Sequence, residues 1–351
     1  IDDTIFTLFS KYPKIKFSIY THTINKSLKL DYEKYKKQYE NIELKETKEF
    51  LLKEKKFDID DKSIADIYMV LGGVAKYLSY LDNKLSIAQN INRLFFSLHS
   101  PLYGEFDALF KSLFYDKASI HKKIIDVLLS KRGGFTMLEL ESLIDEVKLF
   151  TLRNHIDELI DTGFIKPIGR YNHASKNTKF IVIDSFCLFF NKWVQALSKN
   201  DIANLIDYFE TKSTSHDYII WQGYAFEILC MANIQLYLKA RGLSAGVKSI
   251  GYWDYVSNDA SQKGAQIDIL IEYIGNTYDI VECKYYNDEF VIDKDYASNL
   301  QNKKEKFIIN AIKNKKYDLK MIMLTSYGTK INQYYNQIPI AKDIKLVDLM
   351  G

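Results

Sequence analysis

The sequence predicts a multidomain chain: an α-helical region, then three helices with two strands, then a C-terminal α/β domain with a mixed sheet. Three observations support this. The chain has 351 residues, whereas a single domain usually holds on the order of 100 to 200. Hydrophobic residues make up 47% of it, enough for a packed core throughout. Apolar residues recur at helical spacing early in the chain and form strand-like runs towards its end.

A small helical, lid-like subdomain is expected over residues 63–115. Ile64 and Leu71 mark one face of its first helix. The pair Gly72-Gly73 interrupts this helix, because glycine destabilises a helix interior. The elements expected in and before this region are a strand over residues 15–20, a charged helix over 31–56, and a second helix over 74–81.

Residues 118–184 have the element order of a winged helix-turn-helix, three helices followed by two strands. Thr136 is expected to cap the second helix and Thr151 the third, because a threonine hydroxyl accepts hydrogen bonds from the free N–H groups of a first turn. Gly163 ends the third helix. On the first helix the inward-facing residues are expected to be Ile120, Ile124, Val127 and Leu128, and the strands are expected over residues 164–168 and 179–183, around a polar loop at 169–178.

The third helix and this polar loop, the wing, are the candidate DNA-binding elements. A winged helix usually places its third helix in the major groove and its wing over the phosphate backbone. Asp157, Glu158 and Asp161 on the exposed side of that helix would repel DNA. A solvated wing or a protein-docking role is therefore the alternative. The candidate nucleic-acid contacts are Arg153, Asn154, Lys166, Arg170, Lys176 and Lys179.

From residue 216 onward the pattern predicts an α/β domain with a mixed sheet. A long amphipathic helix opens it and ends at Gly242. Gly275 and Asn276 indicate a tight turn between two apolar strands. The expected elements are a helix over residues 218–240, strands over 247–255, 265–273 and 278–286, a helix over 296–313 and a strand over 319–325.

Charged residues interrupt two of these apolar strands, with Asp268 in one and Glu282 and Lys284 in the next. A charge inside a buried strand costs several kcal/mol unless it is paired or bound to a metal. Side chains alternate along a strand, so Glu282 and Lys284 share a face and Cys283 points the other way. A three-residue loop at residues 274–276 would place Asp268 directly across from Glu282, with Cβ atoms roughly 5 Å apart.

Two carboxylates at that separation suit a hard divalent cation, Mg²⁺ or Mn²⁺. Such an ion polarises a phosphate and lowers the pKa of an attacking water, and Lys284 is suited to orient that water or to offset developing charge. Glu227 on the preceding helix is a candidate third acid for the metal, with a surface or capping role as its alternative. The bare spacing also arises by chance on solvated strands, so the element order carries much of this argument.

These residues resemble the signature of the PD-(D/E)xK nuclease superfamily, with Asp268 as the first acid, Glu282-Cys283-Lys284 as E-x-K and Glu227 as the acid often found on the first helix. The chain from about residue 62 also resembles the C-terminal part of a family of prokaryotic AAA-type ATPases. In that family a helical lid, a winged helix and a nuclease-like domain follow the nucleotide-binding core. The second resemblance is carried by residues 71–78 (LGGVAKYL), 100–105 (SPLYGE) and 223–227 (GYAFE).

The resemblance implies a restriction-endonuclease-like fold for the last domain and the following organisation. The segments are 1–61, a remnant of the ATPase core or a linker; 62–117, lid-like; 118–184, winged helix; 185–215, a helical connector; and 216–351, nuclease-like. The chain has no G-x-x-x-x-G-K-[ST] loop, the backbone cradle that holds nucleotide phosphates. ATP binding is therefore expected only if a nucleotide-binding module lies upstream. Residues 14–23 resemble a late strand of such an ATPase core, which favours an upstream module.

The composition bears on metal sites, disulfides, location and partners. The three cysteines form no C-x-x-C pair, so neither a zinc site nor a disulfide framework is indicated, and the six histidines do not pair at metal-ligand spacing. No apolar run approaches the roughly 18 residues that cross a bilayer. A cytoplasmic protein is expected. The net charge of +3 neither demands nor excludes a nucleic-acid partner.

The leading hypothesis is a magnesium-dependent nuclease that hydrolyses phosphodiester bonds in DNA, as the C-terminal part of an AAA-ATPase-like protein. The first alternative is a DNA-binding or protein-docking regulator with an inert nuclease-like domain. A second alternative is a structural protein whose winged helix docks other subunits. The expected partners are DNA and, as further candidates, a second copy of the chain or another ATPase subunit. Neither a membrane nor a small-molecule substrate is expected.

Overall fold

The computed structural model describes residues 42–97, 99–173, 175–257, 263–312 and 316–351. The protein is a mixed α/β structure. Its described residues form two compact units, each made of two stretches of the chain. The first contains the residues up to Lys166 and Phe180–Ala225, and the second contains Pro167–Lys179 and Phe226–Gly351. The strand predicted over residues 15–20 and most of the charged helix predicted over 31–56 lie outside the described residues. Within the described ranges, no helix has the length and apolar character needed to cross a lipid bilayer.

The first unit is built mainly from short helices. The predicted break after the first helix of the lid-like region is confirmed, because Gly72 ends that helix with φ of 64°. The helices are α1 (Leu44–Glu49), α2 (Asp61–Leu71), α3 (Ala75–Ser79), α4 (Ile87–Phe95), α5 (Glu105–Phe114), α6 (Ala118–Leu129), α7 (Met137–Leu143), α8 (Leu149–Asp161), α9 (Ser185–Trp193), α10 (Lys199–Ala203), α11 (Tyr208–Lys212) and the start of α12 (His216–Ala232).

Aromatic side chains fill the core of the first unit. Phe186 and Phe189 of α9 are buried, and their ring centroids lie 5.0 Å from Tyr77 and 4.9 Å from Phe95, respectively. Such separations are favourable for tilted aromatic pairs. The aromatic-rich segment that the sequence suggests as a connector is therefore part of the hydrophobic core of this unit.

The capping of the three-helix region agrees with the prediction at one helix and departs from it at another. Thr136 caps α7, and its hydroxyl accepts a 3.3 Å hydrogen bond from the N–H of Glu139. Thr151 is not a cap, because α8 already begins at Leu149, two residues earlier. The short strands of this part of the chain are β1 (Phe135–Thr136), β2 (Ile165–Arg170) and β3 (Lys179–Val182).

The buried face of α6 is offset from the predicted one. Ile124 and Leu128 are buried as expected, but Ile120 and Val127 are only half-buried. His121 and Ile125 occupy the core instead. Burial lowers the pKa of His121 below its ordinary value, which outweighs the opposing hydrogen bond to the Lys117 carbonyl. The helix face on which the sequence prediction placed four aliphatic residues therefore carries a buried histidine.

The second unit holds the end of α12 and the sheet. The predicted strands over residues 247–255 and 265–273 are confirmed. The helix predicted over 218–240 is divided at Asn233, and Gly242 ends its second part with φ of 71°, as predicted. The elements are α13 (Ile234–Arg241), β4 (Val247–Tyr255), β5 (Ala265–Tyr273), β6 (Thr277–Lys284), β7 (Phe290–Val291), α14 (Lys294–Phe307), β8 (Asp318–Thr325), β9 (Thr329–Lys330), α15 (Gln333–Gln337), β10 (Ile340–Lys345) and α16 (Leu346–Met350).

The sheet of this unit is mixed, as predicted. Its order is the end of β2, then β4, β5, β6, β8 and β10. Strands β4, β5 and β6 are antiparallel, whereas β8 runs parallel to β6 and β10 parallel to β8. The end of β2 pairs in parallel with β4 at Gly169 and Gly251. A Cβ at Gly251 would lie 2.2 Å from the Gly169 carbonyl oxygen, so this strand pair requires a glycine there.

The β5–β6 hairpin has the predicted register. Strand β5 ends at Tyr273 and β6 begins at Thr277, which leaves the three-residue loop expected from the sequence. Gly275 and Asn276 have φ of 78° and 55°, values that favour these two residue types. Pairing continues to Ile269 opposite Val281, one step short of Asp268 and Glu282. The register therefore aligns Asp268 with Glu282 at the end of the hairpin.

Asp279, also on β6, is completely buried and fully paired. Its carboxylate accepts hydrogen bonds from the Tyr237 hydroxyl at 2.7 Å and the Tyr273 hydroxyl at 2.9 Å. Arg241 donates to both carboxylate oxygens, at 2.8 and 3.0 Å. Burial raises the pKa of Tyr237, and the adjacent carboxylate adds to that increase. This network ties α13 to the sheet and was not foreseen from the sequence.

Candidate active site

Glu282 lies near the end of β6 and is a buried acid with two polar partners. Its side chain is 8% exposed. Lys303 of α14 contacts one carboxylate oxygen at 2.5 Å, and the Tyr296 hydroxyl donates to the other at 2.8 Å. Tyr296 and Lys303 are seven residues apart, two turns of one helix, and so reach the same point. The charge of Glu282 is therefore compensated by α14.

Lys284 shares this face of the sheet, as strand alternation predicts. Its ammonium lies 4.5 Å from the centre of the Tyr296 ring, the same tyrosine that binds Glu282. A second ring, that of Phe290, lies 5.6 Å away. Burial raises the pKa of Tyr296, and the neighbouring Glu282 carboxylate raises it further, so the tyrosine remains a hydrogen-bond donor. An acid and two ammonium groups thus surround one tyrosine.

Cys283 points to the opposite face, again as predicted. Its thiol interacts with Cys230 of α12, and this hydrogen bond, followed by burial and the nearby Glu227 carboxylate, raises the pKa of Cys283. The Glu227 carboxylate is thus within electrostatic reach of Cys283. Its expected place in the metal shell of Glu282 stays a prediction.

Asp268 lies at a bulge in β5, which alternation alone does not anticipate. Across the pairing with β4, Gly251 stands opposite Leu270 and Trp253 opposite Ile267, so two β5 residues match one of β4. Ile267 and Leu270 both pack in the same hydrophobic cluster. Regular alternation is therefore broken between them. Alternation therefore does not set the face of the Asp268 side chain, and the observed partner of its half-buried carboxylate is the Gln266 amide.

Carboxylates of the predicted metal site do not form a dense cluster. Across the described ranges, the one group of three His, Cys, Asp or Glu side chains at metal-ligand spacing is His121, His155 and Glu158, in the first unit. The α14 face instead presents one buried acid beside two cations. Such a face is suited to hold a phosphate through Lys284 and Lys303.

A cleft of about 800 Å³ borders this face along α14. It carries both signs of charge, since Lys263 and Lys306 line it together with three acids. Tyr296 lines this cleft and also donates a hydrogen bond to Glu282, which itself does not line the cleft. The lining residues are Lys263, Asp293, Asp295, Tyr296, Ser298, Asn299, Asn302, Glu305 and Lys306.

The candidate nucleic-acid residues differ in whether their side chains are paired with an acid, buried or exposed. Arg170 contacts Asp254 at 2.5 Å and Lys179 contacts it at 3.7 Å, so both wing cations already have an acid beside them. Burial lowers the pKa of Lys166. The side chains that are exposed, and so accessible to a polyanion, are those of Arg153, Asn154 and Lys176.

Glu158 is not the exposed acid that the sequence suggested. It is half-buried and contacts Lys117 at 2.7 Å and His121 at 2.8 Å. Of the acids expected to repel DNA on α8, Asp157 and Asp161 do lie on the exposed side.

Comparison with protein-family models, curated proteins and solved structures finds no match to this chain. The functional argument therefore depends on the residues themselves. Sequence reasoning missed the role of Tyr296 beside Glu282, although the Tyr-x(6)-Lys spacing on a helix was an available signal. It also missed the buried His121 and His155.

Proposed function

We propose that the second unit is a metal-dependent nuclease domain of the restriction-endonuclease-like type that hydrolyses phosphodiester bonds in DNA. The observation that carries the proposal is the buried Glu282 on the same strand face as Lys284, with Asp268 aligned across the hairpin. Burying a charged carboxylate is costly, and Lys303 and Tyr296 offset that cost at Glu282 as Arg241 and two tyrosines do at Asp279. What distinguishes Glu282 is the Lys284 ammonium near the same tyrosine. The main elements α12, β4, β5, β6, α14 and β8 follow one another in the order predicted from the sequence pattern, with the short α13 and β7 between them.

In this proposal Asp268 and Glu282 hold the metal ion. Two carboxylates supply the oxygen ligands that Mg²⁺ or Mn²⁺ prefers. When bound, such an ion would supply an activated water molecule and polarise the scissile phosphate. Lys284 would offset the charge that develops on the phosphate, and Tyr296 orients the Glu282 carboxylate. Lys303 compensates the charge of Glu282 and, once displaced from it, would contact a phosphate oxygen.

A second candidate function, a DNA-binding or protein-docking regulator with an inert nuclease-like fold, is favoured by one observation. Lys303 already satisfies Glu282 at 2.5 Å, and an acid in a closed ion pair does not need a metal. In either case the three-helix region around α6, α7 and α8 is proposed to act as the helical part of a winged helix and to contact DNA or a partner through Arg153 and Asn154. Lys176 belongs to the second unit and is proposed as a separate candidate contact. A cytoplasmic location, and an ATPase module elsewhere in the protein or its complex, belong to the same proposal.

Replacing Asp268 by alanine is expected to lower Mg²⁺-dependent cleavage by at least about 100-fold, since one of two metal ligands is lost. The assay incubates the full chain with supercoiled plasmid and with single-stranded and duplex DNA, in Mg²⁺ or in EDTA. Asp318→Ala is the matched control, because Asp318 is a half-exposed strand acid paired with Lys320.

The outcomes separate the candidates. Cleavage that is equal in wild type and Asp268→Ala contradicts the nuclease proposal. Salt-sensitive DNA binding by wild type without metal-dependent cleavage selects the inert regulator. Failure to bind or cleave any of these nucleic acids leaves protein docking as the role of the three-helix region.

A further inference from the structure

Two histidines and a glutamate converge in the interior of the first unit, far apart in the sequence. His121 lies on α6, and His155 and Glu158 lie on α8 at a spacing of three residues. His121 is 0% and His155 5% exposed, whereas the Glu158 side chain is 35% exposed. Their nitrogen and oxygen ligand atoms all lie within 4.8 Å of one another. The group is therefore buried at two members and accessible from solvent at the third.

The protonation of His121 is fixed by its surroundings. Its Nδ1 lies 2.9 Å from the backbone carbonyl oxygen of Lys117. A carbonyl oxygen only accepts hydrogen bonds, so Nδ1 carries the proton and donates it. In the neutral ring Nε2 is then left with a lone pair. The Phe114 ring, stacked at 3.9 Å, holds the imidazole in this orientation.

That lone pair faces another acceptor. Nε2 of His121 lies 2.8 Å from Oε2 of Glu158, whereas Nδ1 of His155 donates a 3.3 Å hydrogen bond to the same oxygen. Two lone pairs at such a distance repel each other unless a cation lies between them. Lys117 does not serve as that cation, because its ammonium contacts the other oxygen, Oε1, at 2.7 Å.

The angle of the contact favours a metal ion over a shared proton. Although His121 Nε2 and Glu158 Oε2 are close, Nε2 has no partner with acceptable hydrogen-bond geometry among the described residues. A shared proton requires a nearly linear arrangement. Two atoms that bind the same tetrahedral ion each point their lone pair at the ion and not at each other. His121 Nε2 and Glu158 Oε2 can therefore be close without being aligned for a hydrogen bond.

We propose that His121, His155 and Glu158 bind a divalent transition-metal ion of the Zn²⁺ class that joins α6 to α8. Imidazole nitrogens with one carboxylate oxygen suit Zn²⁺ and not Mg²⁺. The hydrogen bond from His121 to a backbone carbonyl is the usual support of a metal-bound histidine. Ligands about 2.1 Å from a tetrahedral ion lie roughly 3.4 Å apart, so small side-chain rotations complete the site. The ion would fix the position of α8, the proposed DNA-contacting helix.

Zn²⁺ titration of the full, metal-free chain tests the site. Calorimetry is expected to give one tight Zn²⁺ per chain, with binding at least about tenfold weaker in Glu158→Gln and in His155→Asn. Glu146→Gln is the matched control, a half-exposed acid of the same unit whose partner is Lys123. This control is expected to bind Zn²⁺ as the wild type does.

Thermal unfolding gives an independent readout, because its main comparison uses only the wild-type chain with and without Zn²⁺. Zn²⁺ in excess is expected to raise the Tm of the wild-type chain by at least about 5 °C relative to EDTA, and Mg²⁺ is expected to leave it unchanged. The same addition should not raise the Tm of Glu158→Gln. Equal Zn²⁺ affinity in wild type and Glu158→Gln, or no rise in the wild-type Tm, overturns the proposal.

Discussion

Replacing Asp279 by alanine is expected to lower the free energy of unfolding by about 3–5 kcal/mol. The change leaves the guanidinium of Arg241, whose side chain is 13% exposed, without its buried counter-charge. It also leaves the hydroxyl of the fully buried Tyr237 without its acceptor. Urea unfolding followed by circular dichroism measures the loss.

Asp318→Ala is the control for this substitution, because the Asp318–Lys320 pair is a half-exposed ion pair in the same sheet. Exposed pairs of this kind contribute little, so a change within about 0.5 kcal/mol is expected. A second change, Arg241→Met in the Asp279→Ala background, should recover part of the loss because it removes the uncompensated charge. A loss below about 1 kcal/mol in Asp279→Ala would show that the network does not hold α13 to the sheet.

Replacing Lys284 by methionine is expected to lower the rate of Mg²⁺-dependent DNA cleavage by about 10²- to 10³-fold. Methionine keeps the length and apolar stem of lysine but removes the ammonium that the proposal places at the phosphate. The side chain is half-buried against Tyr296 and Phe290, so the fold should be retained. Initial rates on duplex DNA at saturating Mg²⁺ measure the effect.

Lys320→Met is the matched control, since Lys320 lies on the adjacent strand β8 and its partner is Asp318. Its activity should equal that of the wild type. If Lys284→Met cleaves DNA at the wild-type rate, the Lys284 ammonium has no role in cleavage. Glu282 would then be interpreted as a structural acid. Circular dichroism of both variants checks that any lost activity does not come from unfolding.

Much of the second unit follows from local patterns in the sequence. Strands β4 and β5 begin and end at the predicted residues because long apolar runs are bounded by turn residues. The Gly275-Asn276 pair fixed the hairpin loop, and with it the alignment of Asp268 with Glu282, since both residues adopt positive φ readily. Strand alternation then put Glu282 and Lys284 on one face.

The features that were not predicted depend on contacts between elements that are distant in the sequence. The bulge at Asp268 arises from the match between β4 and β5, and nothing in either strand alone places it. Strand β10 has alternating charges and gains its position only by pairing with β8, so it was not predicted. His121 and His155 are brought together by the packing of α6 on α8. The sequence around Asp279 does not indicate that its carboxylate binds Arg241 and two tyrosines, because these partners come from other elements.

The measurement that tests the central claim most directly is the anomalous scattering of Mn²⁺ in crystals of the full chain grown or soaked with that ion. The account predicts a peak within about 2.2 Å of a Glu282 carboxylate oxygen. Asp268 should be a second ligand, and the Lys303 ammonium should have moved from its present position. Crystals saturated with Mn²⁺ in which Glu282 remains bound to Lys303, with no peak beside it, would contradict a metal-dependent nuclease centre.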